Sequence, residues 1–125
     1  MLVAVNAERA AAGVGPLSGC ATLERAAQDH SVDQAARRTM SHVGGDGSTL
    51  STRVQRAGYI GWTGIAENVA VGYGSVGAVM TGWMNSSGHR ANLLNSSYVH
   101  IGVGQAADGS GTLYWTQDFG RGGSC

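Results

Sequence analysis

His42, Glu67 and His89 are the residues of this chain whose types could do chemistry together. His42 follows Ser41 in a Ser- and Gly-rich run, Glu67 sits in Ala66-Glu67-Asn68, and His89 in Gly88-His89-Arg90-Ala91-Asn92. Two imidazoles and a carboxylate are the raw material of a metal site, an acid–base pair or a buried hydrogen-bond network. Spacing does not choose among these. The three are far apart along the chain, and no His-x-x-x-His pair places two imidazoles on one turn of helix. Whether they meet depends on the elements that carry them.

Residues 2–12 are Ala-rich and helix-prone, stopped by Gly13 and Pro16. Residues 22–40 predict a longer helix with Leu23, Ala26, Ala27, His30 and Gln34 on one stripe. His30 in such a stripe reads as a core histidine rather than a ligand. Three glycines make residues 41–48 a loop. A short helix follows over residues 49–57, with Gly58 suited to the position after its end. Residues 65–73 read as a strand, with Val69 and Val71 in alternation. Ser75 is placed to cap a helix whose inward stripe is Val76, Val79, Met80 and Trp83. Asn85-Ser86-Ser87-Gly88 breaks that helix, and residues 89–94 start another turn. Val99, Ile101 and Val103, a Gly-rich turn, then Leu113, Trp115, Gln117 and Phe119 make a β-hairpin. The class is α+β, most economically a three-layer α-β-α sandwich with a small antiparallel sheet between helices.

At 125 residues the chain is read as one domain, residues 1–125, large enough to bury roughly two-thirds of its unfolded surface. Its formal net charge is zero, so nothing steers it to nucleic acid or to an anionic membrane. Arg37-Arg38 is the one basic pair and reads as a solvated helix face. No apolar run approaches the ~20 residues of a membrane span. Met1 leads directly into helix-prone sequence, and the chain is expected to be a mature domain. No long heptad pattern demands a coiled-coil partner, and a monomer is expected. The two cysteines are Cys20 and Cys125, the second at the end of a Gly-rich tail. A bridge between them would pin that tail, close most of the chain into one loop and contribute about 4–5 kcal/mol at most. The even count fits an oxidising compartment. The alternative is two unrelated cysteines.

Several segments together carry a family likeness. They are Val5-Asn6-Ala7-Glu8-Arg9 with Gly15-Pro16-Leu17, Ala27-Gln28-Asp29-His30-Ser31, Ser41-His42, Arg53 through Ala57-Gly58-Tyr59, and Ala66-Glu67-Asn68-Val69-Ala70. Trp83-Met84-Asn85-Ser86-Ser87-Gly88-His89-Arg90-Ala91-Asn92-Leu93-Leu94 is the most specific. Ile101-Gly102-Val103-Gly104 and Tyr114-Trp115-Thr116-Gln117-Asp118-Phe119-Gly120 complete the set. Colinear over nearly the whole chain, they resemble the CAP superfamily (cysteine-rich secretory, antigen 5 and pathogenesis-related-1 proteins), in particular its bacterial SCP-domain branch.

The resemblance implies a secreted α-β-α sandwich with an open cleft lined by His42, Glu67 and His89, the two imidazoles able to hold zinc or magnesium. The sequence departs from the fuller pattern at Ser86, where animal and fungal members carry a second Glu. No Asp or Glu occurs between Glu67 and Asp108, and Asp46 is the nearest other carboxylate to His42. Two histidines and one acid suit a loosely held zinc completed by water better than magnesium, which prefers oxygen ligands. The expected function is therefore a cleft that binds a divalent metal, or a small-molecule, lipid-like or cell-wall ligand. No catalysis is assigned. The alternatives are a zinc-dependent hydrolase with Glu67 as general base, or an adhesion domain whose cleft, including Ser86, is vestigial. The network reading also stands, with Glu67 accepting from both imidazoles. Ser41 beside His42 does not make a hydrolase pair: adjacent residues seldom bring a hydroxyl onto the neighbouring ring, and no Gly-x-Ser-x-Gly elbow is present. Arg90 and Asn92 are expected to anchor the His89 turn. Trp83 and Trp115 are expected in the core, with Trp62 partly exposed.

Overall fold

The computed structural model describes residues 1–125. Helix α1 (Leu2–Ala11) turns Val5 and Arg9, one turn apart, inward. Arg9 is buried yet fully used: it donates to the carbonyls of Gly15 (2.7 Å), Leu93 (2.8 Å), Asn95 (3.1 Å) and Tyr98 (3.3 Å), tying the start of the chain to a distant loop. Strand β1 (Ser18–Gly19) runs straight into helix α2 (Ala21–Arg37). Helix α3 (Leu50–Arg56) is capped by the Thr49 hydroxyl and followed at Gly58 by a φ of 106°, a region that glycine enters without penalty. Strand β2 (Gly64–Val71), helix α4 (Val76–Met84, capped by Ser75), helix α5 (Ser87–Leu93) and strands β3 (His100–Ala107) and β4 (Leu113–Arg121) complete the chain.

The sheet order is β1-β3-β4-β2. The β3–β4 hairpin and the β2–β4 pair are antiparallel, as expected, but β1 pairs with β3 in parallel. That two-residue strand escaped the sequence reading because it is too short to show a period. Several boundaries also differ, two of them with a visible local cause. α2 stops at Arg37 rather than residue 40, because Arg38 takes a left-handed conformation (φ 50°). α5 starts at Ser87, with Ser86 extended before it, instead of at His89.

Helices α1, α4 and α5 cover one face of the sheet over a core of Val5, Leu17, Val79, Met80, Trp83, Leu93, Ile101, Trp115 and Phe119. On the other face α2 lies along β3 and β4. The close approach depends on missing side chains: a Cβ at Gly102 would overlap the backbone of Leu23 and Glu24, and one at Gly104 the backbone of Ala27 and Gln28. The buried apolar cluster here is Cys20, Leu23, Ala26, Val54, Ala57 and Tyr59, with Leu50, Trp62 and Ile65 packed against it. The remainder of this interface is polar. Ser31 and Gln34 of α2 reach Thr116 of β4 at 2.7 and 3.2 Å, and His30 is buried beside them. Cys20 and Cys125 form the expected disulfide, with Cα atoms 4.9 Å apart and a sequence separation of 105.

Candidate functional site

Glu67 sits mid-strand on β2, its side chain 2% exposed, and both carboxylate oxygens are occupied. Arg53 of α3 donates from Nη1 to Oε2 (2.7 Å) and from Nη2 to Oε1 (3.0 Å). His42 Nδ1 lies 3.0 Å from Oε1. Burial pushes the Glu67 carboxyl up, but hydrogen bonds from His42, Asp118 and Arg53, with the Arg53 charge, outweigh it and hold the pKa at about 2. An ionised carboxylate only accepts, so His42 Nδ1 carries a proton and the neutral ring keeps its Nε2 lone pair. The bond to Glu67 raises the His42 pKa against the opposing effect of burial.

The loop carrying His42 is shaped by its own side chains and by α2. His30 Nε2 donates to the Ser41 carbonyl (2.7 Å), Ser41 N–H donates to Gln34 Oε1 (3.0 Å), and Arg53 Nη2 donates to the His42 carbonyl (2.7 Å). Ser41 Oγ accepts from Val43 N–H at 3.0 Å, a local turn bond, and makes none to the His42 ring.

His89 enters from α5, docked on β2 through asparagines. Asn92 Nδ2 donates to Asn68 Oδ1 (3.0 Å) and the Glu67 carbonyl (3.4 Å), and Asn68 Nδ2 donates to the His89 carbonyl (3.2 Å). Asn92 thus anchors the His89 turn as expected, whereas Arg90 lies exposed. Ser86, at the N-cap of α5, places its hydroxyl oxygen 2.9 Å from His89 Nδ1, where it can accept that nitrogen's proton, and makes no bond to the helix backbone. Burial and the charge of His42 lower the His89 pKa. The structure therefore brings His42, Glu67, Ser86 and His89 beside the middle of β2. It does not make them a three-ligand cluster: the residues whose ligand atoms gather within 4.8 Å are Cys20, His100 and Cys125, whose sulfurs are bonded to each other.

Three residues of this site were not placed at it by the sequence. Arg53 clamps Glu67 from behind. His30 is the expected core histidine, but its Nε2 also comes within 3.9 Å of Glu67 Oε1, and burial lowers its pKa. Asp118 stands opposite Glu67 in the β2–β4 register. It is fully buried and both its oxygens lack a donor elsewhere in the protein. Burial and the Glu67 charge raise its pKa well above the ordinary carboxylate value, and a proton held on Asp118 would be shared with Glu67. The signal for it was an aspartate inside a strand pattern, where that residue is depleted. Asp46, the sequence-based choice for a second carboxylate, is elsewhere. It is exposed, paired with Arg56 (2.8 Å) and bonded to Ser48 N–H (2.9 Å), on the rim of a polar cavity behind the cleft.

An apolar groove of about 260 Å³ opens beside His89, lined by Met40, Val69, Val71, Tyr73, Trp83 and Ser86. Met40 and Tyr73 are 49% and 37% exposed and form its rim. Trp83 and Trp115 are in the core, and Trp62 is half-buried, as expected.

The sequence profile of the cysteine-rich secretory protein family, CAP, matches residues 2–119, and the chain belongs to that family, in its bacterial SCP-domain branch. It is 36% identical over 114 residues to the uncharacterized protein YkwD of Bacillus subtilis (strain 168), covering 91% of this chain and 43% of that protein. An extracellular protein containing a SCP domain from Bacillus anthracis superposes with a TM-score of 0.85 at 32% identity, over 94% of this chain and 37% of that one. The chain spans less than half the length of these two relatives. An outer surface protein from Borrelia burgdorferi shares the fold at 22% identity, with a TM-score of 0.88 over 96% of this chain and 88% of that one. No helix is long and apolar enough to cross a membrane.

Proposed function

We propose that this domain is an exported binding module whose cleft takes a zinc ion through His42 and His89, with the neighbouring groove accepting the apolar part of a small or lipid-like ligand. The observation that carries this reading is common to both rings. Each is held at Nδ1, His42 by Glu67 and His89 by Ser86, and each keeps Nε2 without a protein partner. Imidazoles fixed at one nitrogen and open at the other are the usual form of metal-ligating histidine. A donor set of two nitrogens suits zinc, with water in the remaining positions, and does not suit magnesium. Export is supported by the disulfide and by the extracellular relative from Bacillus anthracis.

The same geometry favours binding over hydrolysis. A general base must be able to take up a proton near neutral pH. Glu67 is held at about pKa 2 with its oxygens engaged by Arg53 and His42. Its role is to orient His42, and any bound zinc would polarise a ligand oxygen without a basic carboxylate beside it.

Calorimetric zinc titration of the oxidised protein at neutral pH tests the reading. Binding with one-to-one stoichiometry is expected, abolished by His42→Ala and by His89→Ala with the fold retained by circular dichroism. Unchanged affinity in either variant would overturn the assignment. For the groove, a fluorescent fatty-acid probe should bind the parent and lose affinity in Val71→Asp. A probe bound equally by both would remove the groove from the proposal.

A further inference from the structure

Away from the cleft, a ring nitrogen of His100 and the sulfurs of Cys20 and Cys125 lie within 4.8 Å of one another. We propose that reduction of the Cys20–Cys125 bond converts this cluster into a second zinc site of two thiolates and one imidazole, closed by water. It rests on none of the cleft residues. In the reducing step a dithiol gives two electrons and two protons: the Cys20–Cys125 bond breaks to two thiols, and the dithiol closes to its own disulfide. Zinc then displaces both thiol protons and binds the two thiolates with His100, a ligand set in keeping with the metal's preference for sulfur and nitrogen.

Hydrogen bonds hold the ligands together without the covalent bond. The tail is fastened by Thr63 N–H to the Arg121 carbonyl (2.9 Å), Ser124 N–H to the Ile60 carbonyl (3.1 Å) and Thr22 Oγ1 to the Ser124 carbonyl (2.7 Å). Cys125 therefore stays beside Cys20 when the sulfurs part. Cys20 is the N-cap residue of the 17-residue helix α2, where the helix dipole favours a thiolate, and its sulfur lies 3.4 Å from the Thr22 hydroxyl. His100 is oriented by Tyr59, whose Oη lies 3.0 Å from Nδ1 and whose ring meets the imidazole edge-on at 5.8 Å, leaving Nε2 as the ligating nitrogen. Cys20 is buried and Cys125 exposed, so the metal enters from the solvent side.

The test uses the full chain carrying His42→Ala and His89→Ala, so that failure of the cleft reading and failure of this one are separable. The protein is reduced with a phosphine and titrated anaerobically with cobalt, then zinc. One equivalent of cobalt with thiolate-to-cobalt charge-transfer absorption is expected in the reduced chain, none in the disulfide form, and loss of the absorption on adding zinc. Tyr59→Phe, which removes the oxygen on Nδ1, should weaken binding by roughly 10–100-fold, and His100→Ala further. Where reduction loosens the fold, zinc should restore the native near-ultraviolet circular dichroism. No charge-transfer absorption in the reduced chain would overturn the proposal. So would unchanged affinity in His100→Ala, or metal uptake without the native signal.

Discussion

Glu67 and Asp118 face each other across paired strands, and their surroundings push the two carboxyl pKa values apart, Glu67 down and Asp118 up. Two carboxyls in contact cannot both ionise in a dry interior. Arg53 and His42 favour the charge on Glu67, because both bond it and neither bonds Asp118.

Asp118 should therefore weaken the protein as pH rises. Its folded pKa is raised, so above the ordinary carboxylate value near 3.8 the unfolded chain releases a proton that the folded chain keeps, and stability is lost with rising pH. Asp118→Asn has no such proton and its amide can still donate to Glu67. In urea denaturation from acid to neutral pH, the variant should gain on the parent progressively above about pH 4. A pH-independent difference would show that Asp118 is ionised in the fold.

Arg53 and Glu67 form a buried pair, and removing one partner strands the other. Arg53→Ala and Glu67→Gln should each destabilise the fold by about 3–5 kcal/mol in urea, and the double variant by less than their sum. For Glu67→Gln the difference carries a pH signature. The depressed folded pKa gives stability that is fully present above 4.5 and is lost as pH falls towards 2, so part of the gap between parent and variant should close over that window.

The two cleft histidines should titrate apart, and NMR of their ring protons would read this directly. His42 is raised by its bond to Glu67 and should move down in Glu67→Gln. His89 is lowered first by burial and then by the His42 charge, so in His42→Ala it should rise while remaining below an exposed imidazole. An unmoved His89 would mean that the two rings do not sense one another.

Glycine-to-alanine substitutions should have opposite signs at two sites. At Gly104 the new methyl meets the α2 backbone at Ala27 and Gln28, which cannot yield as a side-chain tip can, so Gly104→Ala should cost about 1–3 kcal/mol or more. At Gly77, exposed on α4, a Cβ meets nothing within 4 Å, and Gly77→Ala should stabilise by up to about 1 kcal/mol. Chemical denaturation of the two variants checks both.

The elements that bury an apolar stripe were legible in the sequence: the helix carrying Val79, Met80 and Trp83, and the strands carrying Ile101, Trp115 and Phe119. The polar interface under α2 was not. Alternation in β4 picked out Trp115, Gln117 and Phe119 on one face and assigned nothing to Thr116 and Asp118 on the other. The strand is central and covered on both sides, so all of them are buried. His42, Glu67, Ser86 and His89 were named through the resemblance, since only strand register and helix docking bring them together. Asp118 needed the register itself, because nothing in one sequence states that residue 118 lies opposite residue 67. Asp46 was chosen by proximity along the chain, a poor guide where a loop turns its tip outward.

Arg53 binds both the carboxylate that steadies the His42 ring and the carbonyl of His42 itself, so ring, backbone and carboxylate form one closed circuit. Although 60% of the His42 side chain is open to water, it is not a loose surface histidine. A guest arriving at Nε2 meets a ring whose rotamer is already chosen, and is spared much of the roughly 0.5–1.5 kcal/mol that immobilising a mobile side chain costs on binding. Preorganisation of this kind lets a shallow site with few donors discriminate by direction, accepting a partner that approaches along the ring plane and rejecting one that does not.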